Sequence, residues 1–181
     1  AQALDAPMDR FLDYALRQSV HALSADWKPA FTSGKLAFGG RAKHAAFVLQ
    51  EDGGKDIAGQ LKVLAANGSL ARKARLNLLK LLANIGQPDD LRHVFDQGSD
   101  FPEVLDELAE VVRIRRIKPS GDLIPALEQG IEDGSAGAVR LAGALKSTAL
   151  APLVAILMRS NNAAVPARIA AIESYGLLAG K

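Results

Sequence analysis

The chain has 181 residues, 49% of them apolar but only 5% aromatic, with 22 basic against 20 acidic side chains and a formal net charge of +2. That apolar content is enough for one sizeable core, and the even charge does not mark nucleic acid or an anionic membrane as an obligatory partner. There are no cysteines, so disulfides, thiolate metal sites, thioether haem attachment and cysteine nucleophiles are excluded within these residues.

Ala and Leu dominate the apolar fraction, which suits closely packed helices rather than strands. In chain order, helical spacing predicts a first helix from near Pro7 to about Leu23. Met8, Phe11, Leu12, Ala15, Leu16, Ser19, Val20 and Leu23 share one face of it, with Asp9 and Asp13 on the opposite, solvated face. Arg10 or Arg17 is the expected partner of those carboxylates. A short helix capped by Ser24 or Asp26 follows, ended by Gly34, and the turn of residues 35–40 comes next. Trp27, Phe31 and Phe38 are expected to plug that end of the core.

Helices are then expected over residues 41–50 and 56–66, the second stopped by Asn67-Gly68, and from an N-cap at Ser69 to Ile85. Pro88 opens a short helix carrying Leu91, Val94 and Phe95. Asp100 or Ser99 caps the next, which carries Leu105, Leu108, Val111, Val112 and Ile114. Residues 122–131, 136–146, 149–159 and 163–179 complete the series, with Pro125, Pro152 and Pro166 in first turns, where a helix tolerates proline.

The long helices start near residues 8, 41, 69, 101, 136 and 163, close to the roughly 33–47-residue periods of helical repeats. Three segments share an Arg followed by small or apolar residues at helical spacing: RLNLLKLLANIG from Arg75, RLAGALKST from Arg140 and RIAAIESYGLLAG from Arg168. A repeated helical pair cannot bury its apolar face alone and must stack on its neighbours. The expected fold is all-α: a right-handed α-solenoid of antiparallel helix pairs, about five to six of them, forming one domain over residues 1–181. The opening at Ala1 and the apolar close at Leu177 and Leu178 read as a piece of a longer protein.

Residues 69–180, above all the Arg75, Val139-Arg140 and Arg168 segments, resemble HEAT repeats, whose second helix follows a Val-Arg-x-x-Ala-x-x-x-Leu-Gly pattern. The segment from Phe101 to Arg116 departs from that pattern, with Asp106 or Glu107 where the Arg would fall. FLDYALRQSVHAL, WKPAF and KLAFGG near the N-terminus are similar to a region of large exported planctomycete-type proteins. Those proteins join a dehydrogenase-like propeller, a helical region and a haem domain with Cys-x-x-Cys-His. This resemblance implies a periplasmic setting and transfers no functional residue, because none of the catalytic or haem parts lies in these residues.

The candidate binding residues are two basic clusters: Arg72, Lys73, Arg75 and Lys80 on one helix, and Arg113, Arg115, Arg116 and Lys118 at the end of another. Cations in a last turn complement the helix dipole without any ligand. Gathered on one concave face, they would instead bind phosphates, as in helical-repeat DNA glycosylases. Such an enzyme would also need aromatic and acidic groups around a damaged base, and Trp27 and the two tyrosines lie far from the clusters. His21, His44 and His93 lack metal-ligand spacing, and His44 is expected at the surface. The sequence therefore predicts a non-catalytic scaffold, without cofactor, metal or membrane span, that binds a protein or a neighbouring domain. A nucleic-acid-binding solenoid is the alternative.

Overall fold

Short apolar stripes punctuated by proline, Asn-Gly and serine caps leave the backbone little choice but a series of brief helices. The computed structural model, which describes residues 8–32, 42–52, 58–68 and 70–178, is all-helical, with no strand among those residues. The chain folds as two compact units, Ala1–Ile85 and Gly86–Lys181.

In the first unit the helices are α1 (Arg10–Ala22), α2 (Ser24–Thr32), α3 (Ala42–Asp52), α4 (Ala58–Ala66) and α5 (Arg72–Ile85). α1 starts later than its proline suggests. Asp9 is the N-cap, its carboxylate accepting from the Phe11 and Leu12 amides at 2.9 and 2.7 Å, because a capping oxygen satisfies amides that proline would leave open. α5 packs against α3 and α4, while α1 packs on α2 and α3. Leu49, Leu61, Leu78, Leu79 and Leu82 are fully buried at the centre, each contributing about 1.5–3 kcal/mol by leaving water.

The regular face drawn for α1 is only partly covered. Val20 is its one buried residue, and Phe11 is 84% exposed. Periodicity fixes which residues share a face, but not what lies against it. Trp27 is buried and donates its indole N–H to the Val20 carbonyl at 3.0 Å. Phe38, the turn of residues 35–40, Gly34 and Ser69 lie outside the described residues.

The second unit contains α6 (Pro88–Asp96), α7 (Glu103–Arg115), α8 (Ile124–Glu132), α9 (Ala136–Leu145), a 3₁₀ turn (Thr148–Leu150), α10 (Ala151–Arg159) and α11 (Val165–Leu178). The cap expected at Ser99 or Asp100 is instead Pro102, whose φ of −53° already suits a helix. α9 lies between α7 and α11; α8 packs on α9 and α10, α6 on α7, and α10 on α11. Phe101, Leu91, Leu108, Leu127, Ile131 and Leu141 fill the core.

α9 approaches both neighbours closely because it carries glycine at the two contacts. A Cβ on Gly137 would lie 2.8 Å from the Leu105 side chain of α7, and one on Gly143 would lie 2.7 Å from Ser174 of α11. One charge ladder crosses the same three helices. Arg140 donates to Asp106 of α7 at 2.8 Å and to Glu173 of α11 at 3.4 Å. The hydrogen bond that Asp106 accepts leads in holding this guanidinium above the ordinary arginine value. The register of the ladder is therefore 106, 140 and 173, steps of 34 and 33 residues.

Candidate functional site: a basic cleft at the helix ends

The two basic clusters fall in different units, Arg72, Lys73, Arg75 and Lys80 in the first and Arg113, Arg115, Arg116 and Lys118 in the second. On α5, Arg72 and Lys73 are exposed and Lys80 is half-buried. Arg75 turns back to α4, its Nε donating to the Ala65 carbonyl at 2.7 Å, so its main work is to satisfy the end of that helix.

At the end of α7 and just beyond it, the four cations divide by task. Arg113 forms a forked pair with Glu110 one turn earlier, at 2.6–3.0 Å. That hydrogen bond raises the Arg113 pKa and lowers that of Glu110. Arg115 donates to the Gly86 carbonyl at 2.9 Å. Lys118 reaches the Leu145 carbonyl, at the C-terminus of α9, at 3.4 Å. Arg116 is the C-cap of α7, with φ of 57° in the left-handed region.

The ends of α7 and α9 and Leu177 of α11 border an open cleft of about 590 Å³. Val112, Gly143, Ala144, Leu145 and Leu177 line it together with Arg113, Arg116, Lys118 and Lys146. Lys146 was not among the residues singled out from the sequence. It is the C-cap of α9, with φ of 54°, and its place at the end of the helix expected over residues 136–146 is the signal that could have found it. Arg116 and Lys146 are the only non-glycine residues at positive φ among the described residues. A side chain in that region costs on the order of 1–2 kcal/mol that glycine would avoid.

A second cleft, of about 570 Å³, lies beside α6 and α8, with Phe95, Leu105, Leu127 and Ala138 in its wall. Its carboxylates are engaged: Asp96 accepts from Arg92 at 2.8 Å and Asp133 from Gln129 at 3.1 Å. Ser135 there is the N-cap of α9, accepting from the Ala138 amide. These groups finish helices and form no nucleophile–base pair.

His44 is not at the surface; it is buried, with 1% exposure. Alternating small and charged neighbours in the sequence could not reveal that α1 and α5 pack on its helix. His21 is exposed and His93 half-buried. Among the described residues no group of three or more His, Cys, Asp or Glu side chains could hold a metal ion, and no helix is long and apolar enough to cross a membrane. The expected acidic face of α1 resolves into the Asp9 cap and an Asp13–Arg17 pair at 2.8 Å, and Arg17 also meets Glu51 of α3. No protein-family model, curated protein or solved structure matches the chain.

Proposed function

We propose that this chain is a right-handed α-solenoid of HEAT-like antiparallel helix pairs, and that it works as a non-catalytic scaffold for a protein partner or neighbouring domain. The supporting observation is an open face on α11. The ladder register carries Leu105 of α7 onto Val139 of α9 and Ile172 of α11. Leu105 is 9% exposed and Val139 0%, but Ile172 is 61% exposed, with Val165 and Ile169 exposed on the same helix. The same register carries Ala109 onto Gly143 and Gly176. Gly143 receives Ser174 of the next helix, whereas a Cβ on Gly176 would meet open space. α11 thus repeats the features by which α7 and α9 receive a neighbour, and an apolar face of that kind gains by accepting another helix.

The nucleic-acid reading is less well supported. It requires cations free to meet phosphates, and Arg75, Arg113, Arg115 and Lys118 each bond to this chain's own carbonyls or carboxylates. The second unit also carries ten Lys and Arg against thirteen Asp and Glu, a net of −3 over residues 86–181.

A photo-crosslinking side chain at Ile172, introduced into the full chain in its own cell, tests the scaffold reading. The expected product is a polypeptide cross-link that disappears with Ile169→Asp and is absent when the probe sits at Glu128, an exposed residue of α8. Cross-linked nucleic acid, or equal labelling at Glu128, refutes it.

A further inference from the structure

We infer that the cleft at the ends of α7 and α9 is a docking site for a short acidic, partly apolar peptide segment of a protein partner. The helix dipole favours a cation at either helix end, but it does not account for long side chains at two backbone positions that suit glycine. Helix C-termini attract cations through their unpaired carbonyls, and Lys118 already meets the last carbonyls of α9. Among the described residues, Arg116 and Lys146 meet no ion-pair or side-chain hydrogen-bond partner. Each also sits at a left-handed position where glycine would be at ease. At the other positive-φ positions among the described residues, Gly121 and Gly134, the chain uses glycine. The two exceptions are both long cations, both helix C-caps, and both line one cleft.

The ligand chemistry follows from the walls. Arg116 and Lys146 supply positive charge for carboxylates, while Val112, Ala144 and Leu177 supply an apolar floor that a bare phosphate chain would not use. Beyond the cleft the unit is acidic, since its net of −3 already includes the cleft cations. A long polyanion running out of the site would meet repulsion, whereas a short segment would not. The inference rests on the scaffold reading only in taking the partner to be a polypeptide. It concerns a different place on the unit from the α11 face, so a failed cross-link at Ile172 leaves it standing.

The test is fluorescence anisotropy on the full chain with a short fluorescein-labelled peptide of alternating glutamate and leucine. Controls are the same peptide with glutamine for glutamate and a labelled single-stranded oligonucleotide. The variant is Arg116→Gly with Lys146→Gly, which removes both charges at positions whose backbone glycine accepts without strain, so folding is retained and checked by an unchanged or raised Tm. The glutamate peptide is expected to bind, to weaken about tenfold or more in the double variant, and to weaken as salt rises. Equal binding of the glutamine peptide, no loss in the folded double variant, no binding of the glutamate peptide, or tighter binding of the oligonucleotide each overturns the inference.

Discussion

Adding a single methyl group at Gly143 and at Gly176 should move stability in opposite directions. Both are helical glycines, and Gly→Ala within a helix ordinarily gains about 0.8–1 kcal/mol, because alanine loses less backbone freedom on folding. At Gly176 nothing lies within 4 Å of the new Cβ, so Gly176→Ala is expected to stabilise by nearly that full amount. At Gly143 the new Cβ would lie 2.7 Å from Ser174 Cβ, 2.8 Å from its Oγ and 3.1 Å from its Cα. Rotating the serine hydroxyl cannot relieve contacts with Cβ and Cα, so α9 and α11 must separate. Overpacking of this kind costs about 1–3 kcal/mol, which outweighs the helix gain in most of its range. The expected net change is a destabilisation of about 1 kcal/mol, or roughly 4–8 °C in Tm for a unit of this size.

Urea unfolding followed by circular dichroism, with a thermal scan on the same samples, reads both variants. A stabilising Gly143→Ala, or two shifts of the same sign, would show that the α9–α11 approach is looser than described and would remove the register argument built on it. Gly176→Ala has a functional consequence as well. If α11 receives a neighbour as α9 does, the added methyl should stabilise the isolated chain and weaken the cross-link at Ile172.

Arg140→Ala should cost about 0.5–1 kcal/mol, because its pairs with Asp106 and Glu173 are partly solvent-screened. A double-mutant cycle with Asp106→Ala should show coupling that shrinks at high salt, and strict additivity would remove Asp106 from the ladder. Glu110, held by Arg113, should titrate below the ordinary glutamate value by carboxyl NMR. Its folded pKa lies below its unfolded one, so any stability it contributes is present above the unfolded value and is lost as pH falls through the folded value. Arg113→Ala should return the midpoint to the ordinary value; an unmoved midpoint would show that the pair does not persist in solution.

Helical periodicity and punctuation made most of the element order readable. Pro88, Pro125, Pro152 and Pro166 each lie within the first two residues of a helix, because a first turn has no amide partner for proline to remove. Leu91, Val94 and Phe95 on α6, and Leu108, Val111 and Val112 on α7, are buried at the spacing the sequence displays. Boundaries were less legible. Asp9 caps a helix expected to start near Pro7, and Pro102 took the cap assigned to Ser99 or Asp100, since several neighbouring residues could start the same turn and packing selects among them.

The candidate site was legible only in part. Arg113, Arg115, Arg116 and Lys118 stand together in the sequence, yet nothing local separates the one paired with Glu110 from those lining a cleft. Lys146 joins them through the placement of α9 beside α7. His44 and Ile172 show the same limit from opposite sides: the polar residue is buried and the apolar one exposed. Backbone hydrogen bonding and side-chain spacing act over a few residues, so the sequence alone determined an all-helical chain and the faces its side chains share. Coverage of a face depends on other helices, some of them thirty or more positions away. Only the tertiary structure could decide which faces are buried, which cations meet, and where the surface stays open to a partner.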